Sequence, residues 1–493
     1  MLPHWHCTFI TYVMHLAGLT LNTDSSQHLD ARTDRATNTV TKDTPAPGEH
    51  VHATHLLAQW ISGPTPTFVS PNAIEWARHV LLDWLAVTIA GSTEPLVQML
   101  LDEYVGDNEL PCVLVACGLR ARPHDAALIN GSAGHALDYD DVASRMSGHP
   151  SVPVVPAALA IAEIGRVTGL ELLRAIVIGH EVESRIGEMV APSHYLHGFH
   201  ATGTIGTFGA AAACASLRRL DAGQTAHALG LAATQAAGLK SMFGTMAKPL
   251  HAGKAAMNGL IAAQLAARGF TANEEAIEGV QGFAATQATE RKALVSPLGM
   301  TGGFAIESTL FKYHAACYLT HSAVEAIRRL RELHDIDLDA MASMHITVAV
   351  NHRGVCDVAE PDTGLAVKFS IQHMAALALD GIDTSDLALY SDATARDARH
   401  AEARRRVSLT FTTSPDHHTA LVSLVTRDGR TLEQSANVAV PATALDAQWA
   451  RLMTKARAIA EPVIGPERFD RMVAAVQALD TTTSLEPLLE AIQ

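Results

Sequence analysis

Three carboxylates, Asp138, Asp140 and Asp141, crowd into four residues of this chain, with imidazoles on either side at His135 and His149. Acids and imidazoles this close can exchange protons, and burial would move their pKa values toward neutrality, where general acid–base catalysis operates. The plain alternative for this stretch, NGSAGHALDYDDVASRMSGHP at 130–150, is a polar loop of helix caps. Pro150 suits the first position of a following helix, which leaves His149 at that helix's start. A second stretch, GFHATGTIGTFG at 198–209, carries Gly203, Gly206 and Gly209. The GxxGxxG spacing and the lack of a preceding strand pattern argue against a dinucleotide fingerprint. The spacing suits a helix packed tightly on a neighbour, with His200 just ahead of it, where free N–H groups and the helix dipole favour an anion.

A third stretch, GTMAKPLHAGKAAMNG at 244–259, sets Lys248 before Pro249, again a residue fit to open a helix. A lysine there meets the positive end of the dipole, so it makes a poor stabiliser but a good wall for an anion pocket. Gly253-Lys254 is not a phosphate loop, because the upstream glycine and the Ser/Thr are missing. The fourth stretch, LFKYHAACYLTH at 310–321, holds Lys312, His314, Cys317 and His321, several of them at helical spacing. Zinc sites show tighter pairs such as CxxC or HExxH, and neither occurs, so no metal is expected. The His4/His6/Cys7 and His50/His52/His55 clusters lie in weakly structured sequence and read as adventitious metal binders.

The elements that must position these residues follow from hydrophobic periodicity. Ile74, Ala77, Val80, Leu81 and Trp84 recur at helical spacing within 72–90. Further helices are predicted over 153–164, 170–190, 203–217, 222–237 and 249–267, the last stopped by Gly269. After about 307 the texture changes. Residues 344–350, 407–412 and 420–426 are β-branched or alternate, and Asp428-Gly429 then gives a turn into 430–436. Residues 444–493 return to helix and are expected to pack back on the first domain. Residues 1–21 are mildly apolar without Lys or Arg, a poor signal peptide, and 22–47 read as disordered.

Composition narrows the function. At 493 residues two domains are the default, and 48% apolar against 18% charged residues makes the chain globular. The formal charge of −15 and a basic run limited to Arg404–Arg406 argue against a nucleic-acid partner, and any anion site must be built locally. No apolar run reaches membrane-spanning length, since 80–90 is interrupted by Asp83. Six dispersed cysteines read as reduced, cytoplasmic thiols and lack the clustering of an iron–sulfur enzyme.

Together HALDYDD (135–141), GHPS (148–151), GFHATGTIGTFGAA (198–211), FGTMAKPLHAGKAAMNG (243–259) and the Lys312…Cys317…Thr320-His321 segment resemble the MmgE/PrpD family, in order and spacing, over 55–493. The resemblance implies a mainly α fold: a large all-helical domain from 51–306 and 440–493 with a smaller inserted α+β lid domain over 307–439, behind a poorly structured 1–50. It implies a homodimer, no organic cofactor and no metal. It places Asp138, His149, His200, Lys248 and Lys312 at an active site, with His321 matching a recurrent histidine. Val142 replaces a Thr of the decarboxylase branch, Cys317 replaces its His, and the loop from Asp138 to His149 is one residue longer. The epimerase branch shares the longer loop and the cysteine. The expectation is a lyase or isomerase abstracting a proton next to a carboxylate of a di- or tricarboxylic acid, 2-methylcitrate dehydratase-like. Iminodisuccinate-type epimerisation is the alternative, cis-aconitate decarboxylation ranks below it, and a non-catalytic carboxylate binder is the alternative outside enzymes. Asp138, His149, His200 and Cys317 are the expected catalytic groups. Lys248, Lys312, His321 and His135 are the expected substrate contacts, Asp138 orients an imidazole, and 351–356 and Lys368 select the substrate.

Overall fold

The computed structural model describes residues 52–63, 69–106, 110–294, 303–414 and 416–493. The expectations for the N-terminal extension and for His4, His6, Cys7 and His50 lie outside them. The first helices are α1 (Ala53–Ser62), α2 (Pro71–Gly91) and α3 (Pro95–Tyr104). Ser70 starts α2 by accepting the Ala73 N–H, with Pro71 at the first position. From His79 to Gly91 every residue of α2 is buried, so this helix runs through the core rather than along the surface. A short hairpin, β1 (Cys112–Leu114) and β2 (Leu119–Ala121), was not foreseen. Then follow α4 (Pro123–His135), α5 (Ser151–Gly165), α6 (Gly169–Val190), α7 (Gly206–Leu217), α8 (Ala222–Gln235) and α9 (Ala247–Ala266). Reciprocal capping boxes, Thr168/Glu171 and Asp221/Gln224, fix the starts of α6 and α8.

Small residues let these helices approach backbone to backbone. A Cβ on Gly253 of α9 would lie 2.1 Å from the Leu128 carbonyl oxygen of α4, and one on Gly131 would lie 2.9 Å from the Gly253 Cα. Gly203, Gly206 and Gly209 serve close packing as their spacing predicted, with Gly206 against Pro153 and Gly209 against Val154 and Glu183. The predicted helix over 203–217 is broken, however: one turn, Ala201–Thr204, precedes α7 with Ile205 between them.

The α+β texture past residue 307 is present as α10 (Tyr318–His334), β3 (Met341–Ala349), α11 (Ile371–Leu379), β4 (Val407–Thr412), β5 (Thr419–Thr426) and β6 (Thr431–Asn437). The sheet order is β4-β3-β5-β6, with β3/β4 parallel and the other pairs antiparallel. Ala420, Val422 and Leu424 of β5 point to the core, with α10 and α11 against that face. Residues 310–321 are not one helix. The segment 310–316 is irregular, and α10 begins only after Cys317. Finally α12 (Leu445–Ile464) and α13 (Pro466–Gln477) return to α2, burying Leu452, Ala456 and Ile459 in the same core as Trp84. The whole is mainly α. Among the described residues no single helix is long and apolar enough to cross a membrane.

Candidate active site

The site grows from the sharp turn after α4. Asp138 adopts a left-handed backbone (φ 51°), a conformation Asp tolerates better than most side chains and one that clusters at functional sites. An antiparallel bridge between Val142 and Leu310 brings the 310–316 segment alongside. Lys312 therefore donates to the Asp138 carbonyl (2.5 Å) and to its Oδ1 (3.1 Å). Close packing of α9 on α4 brings Lys248 Nζ to the same Oδ1 at 2.8 Å. Burial alone would raise the Asp138 pKa, but Lys248 and Lys312 outweigh it and hold the carboxylate well below its ordinary range. Burial works against the Lys312 charge too, and Asp138 and Asp140 reverse it, so its pKa is raised. The Asp138 side chain is 55% exposed although Lys248, Lys312 and His149 converge on it, so an open recess remains beside it.

The His149 ring lies between two acids. Its Nδ1 is 3.1 Å from Asp140 Oδ2, and its Nε2 is 3.6 Å from Asp138 Oδ1. Asp140 also takes His135 Nδ1 at 2.9 Å. Asp140 thus lies against both imidazoles, while Asp138, the residue expected to orient one, is near His149 as well and is shared by two ammonium groups. Burial raises the Asp140 pKa, but His135 and His149 bring it well below the usual value. Burial also lowers His135 to about 4, so Asp140 is the anion and the neutral His135 donates Nδ1–H to it. With Nδ1 turned toward Asp140, the other ring nitrogen of His149 faces Asp138 and the recess beside it. Asp141 is a helix cap, as the plain alternative had it: its Oδ1 accepts Ser151 N–H and Oγ–H at the start of α5.

Other expected residues fall elsewhere. His135 is 1% exposed and engaged with Asp140 through Nδ1. His200 is buried, its ring stacked 5.7 Å from His135 and its Nδ1 3.1 Å from His251 Nδ1. Burial and the nearby histidines and Lys248 push its pKa far down. The helix behind it is a single four-residue turn, too short for the dipole expected to favour an anion there. Lys248 is the second residue of α9 and Pro249 the third, so the proline does not open the helix. His321 is buried behind Lys312, with Nε2 near the Ala316 carbonyl and its ring against His314, and has no contact with Asp138 or Lys248 among the described residues. Cys317 lies ahead of α10, where the neighbouring Cys356 thiol, with the Leu319 N–H and Lys312, outweighs burial and lowers its pKa. The five described cysteines are all free.

His135, Asp138, Asp140 and His149 offer ligand-type atoms within 4.8 Å of one another, as a metal would need. Two ammonium groups on Asp138 disfavour a cation there and favour an anion. A cavity of about 270 Å³ lies beyond Tyr313 and His314 and shares no residue with the cluster. Among its basic residues Lys455 pairs with Asp83, and Arg328 and Arg451 share Glu325, whereas the lysines of the cluster converge on the partly open Asp138.

Sequence reasoning missed the role of Asp140, the His251 partner of His200, and Lys455. Lys455 donates to Asp83 (2.6 Å) and to the carbonyl of Tyr139 (2.7 Å), directly beside Asp138. The only signal for it was a lysine on the apolar face formed by Leu452, Ala456 and Ile459.

Compared with known proteins, residues 55–294 match the MmgE/PrpD N-terminal domain and 314–481 the MmgE/PrpD C-terminal domain. A cis-aconitate decarboxylase-like protein oryM of Aspergillus oryzae is 28% identical over 92% of this chain and 99% of its own length. Cis-aconitate decarboxylase of Aspergillus terreus is 26% identical over 89% and 95%. The human cis-aconitate decarboxylase is 29% identical over 57% and 60%.

Proposed function

This chain belongs to the MmgE/PrpD family, and on that premise we propose that it is a cofactor-independent lyase that abstracts a proton next to a carboxylate of a di- or tricarboxylic acid and expels a β-hydroxyl as water. The observation that carries this reading is the His149 ring, with one nitrogen 3.1 Å from Asp140 and the other facing Asp138 and its two lysines. A proton α to a carboxylate is weakly acidic, because its loss puts charge on the carboxylate oxygens. Lys248 and Lys312 stabilise that charge once substrate carboxylates join Asp138 as their partners. His149 Nε2 takes the proton, and Asp140 stabilises the imidazolium that results. Cys317, next to Lys312, is the second proton-handling group and delivers a proton to the leaving hydroxyl. The α+β part over 307–439 acts as a lid that supplies Lys312 and Cys317.

Decarboxylation is the second reading, favoured by the names of the relatives. The same lysines would stabilise the carbanion left by loss of CO₂, and His149 would protonate it. Val142 and Cys317, where the decarboxylase branch has Thr and His, rank it below dehydration. Incubating a panel of di- and tricarboxylic acids in D₂O and following them by NMR separates the cases. New alkene carbons with every carboxylate retained mark dehydration, loss of a carboxylate carbon marks decarboxylation, and deuterium wash-in without net change marks epimerisation. A panel that shows none of these, yet stabilises the protein, leaves a carboxylate binder and ends the enzymatic reading.

A further inference from the structure

We propose that Lys368 is a specificity-determining residue that receives a third carboxylate, so that this site prefers tricarboxylates to dicarboxylates. The inference rests on the reading of the recess as a carboxylate site.

Lys368 follows a short turn, Gly364–Val367, in the α+β part and is fixed against the segment that carries Lys312. Its carbonyl accepts the Cys317 N–H at 3.0 Å. Its ammonium lies 5.0 Å from the centre of the Tyr390 ring. The Tyr390 hydroxyl donates to the Thr384 carbonyl, and the Tyr139 hydroxyl donates to the carbonyl of the next residue, Ser385. Tyr139 in turn adjoins Asp138. Lys368 is therefore held to the Cys317 segment through its backbone and, by way of Tyr390 and the 384–385 backbone, to Tyr139 beside Asp138.

What distinguishes it is the lack of a partner. Lys248 and Lys312 each contact Asp138. Lys368 has no ion pair and no side-chain hydrogen bond among the described residues, although it is partly buried. Glu94, Asp138 and Lys312 are the charged groups that act on it, and the two carboxylates do so from beyond ion-pair distance. Burial is the largest influence and lowers its pKa. A partly buried ammonium without a carboxylate is costly unless a ligand supplies one. Two lysines suffice for a dicarboxylate, whereas a third carboxylate needs the cation that Lys368 presents.

Calorimetric titration with propane-1,2,3-tricarboxylate and with glutarate, which lacks only the central carboxylate, tests this on the full chain. The wild type should bind the tricarboxylate about tenfold more tightly than glutarate. Lys368→Gln should remove that preference and leave glutarate binding unchanged, Lys368→Arg should retain it, and Lys248→Gln should weaken both acids. If Lys368→Gln weakens both equally, or neither, the third-carboxylate role is overturned while the carboxylate site stands. If the wild type binds neither acid, the reading of the recess fails first and takes this inference with it.

Discussion

Two lysine–aspartate groups meet at neighbouring residues of one turn, Tyr139 and Asp138, and differ in almost every other respect. Asp83 and Lys455 are both 1% exposed, matched one to one, with the Tyr139 carbonyl completing the lysine's hydrogen bonds. Asp138 is shared by two lysines, sits on a left-handed backbone and is 55% exposed. Burial dominates the first group: Asp83 is pushed up to about 6 despite Lys455, and the Lys455 pKa falls. Charge dominates the second, where two ammonium groups override burial and keep Asp138 ionised. Buried charge alone therefore does not mark function. A closed, balanced pair ties elements together, while an open and unbalanced one needs a guest.

The difference can be broken from either side. Lys455→Met should destabilise the protein by about 3–5 kcal/mol, because Asp83 is left buried without a partner. Adding Asp83→Leu should recover much of that loss, as read by urea unfolding; a double variant no better than the single would show that the pair is not balanced. Lys248→Gln should do the converse, lowering turnover on the true substrate about 10²–10³-fold with little change in stability. Near-normal turnover would mean that the open group is not the clamp. Asp140→Asn keeps the shape behind His149 but not the charge, and should cost about 10–100-fold in turnover while reshaping its pH profile. An unchanged profile would remove His149 as the base.

The finest test is titration, where the two aspartates carry opposite signs. The folded-state pKa of Asp83 is raised, so its contribution to stability is complete below about pH 4 and is lost as pH rises toward about 6, by roughly 1.4 kcal/mol per pH unit in that window. Asp138 is depressed, so its contribution is present above about pH 4 and is lost only as pH falls through its lower folded value. Carboxyl ¹³C shifts should show Asp83 titrating near pH 6 and Asp138 still ionised well below pH 4. Midpoints that coincide would erase the contrast.

Much of this was legible from residue order. The buried helices showed in their apolar runs, and strands such as β5 in their alternation, because each pattern is a local consequence of which face is buried. The cations and imidazoles at 135, 149, 200, 248 and 312 stood out as polar residues in apolar surroundings. What could not be read was which acid serves which base. Asp138 and Asp140 are alike in sequence, and only the arrival of Lys248 and Lys312 from 110 and 174 residues away separates their tasks. The break at Ile205 and the irregular 310–316 segment were hidden for a related reason. Helical spacing persists in both, and tertiary pairing, such as Leu310 with Val142, decides the conformation.

The bond from Lys455 to the Tyr139 carbonyl joins residues 316 positions apart. During synthesis at about 5–20 residues per second, the turn carrying Asp138 leaves the ribosome roughly fifteen seconds to a minute before the lysine that completes its underside. Nascent chains arrested short of residue 455 should therefore hold every acid and imidazole of the cluster and still be inactive.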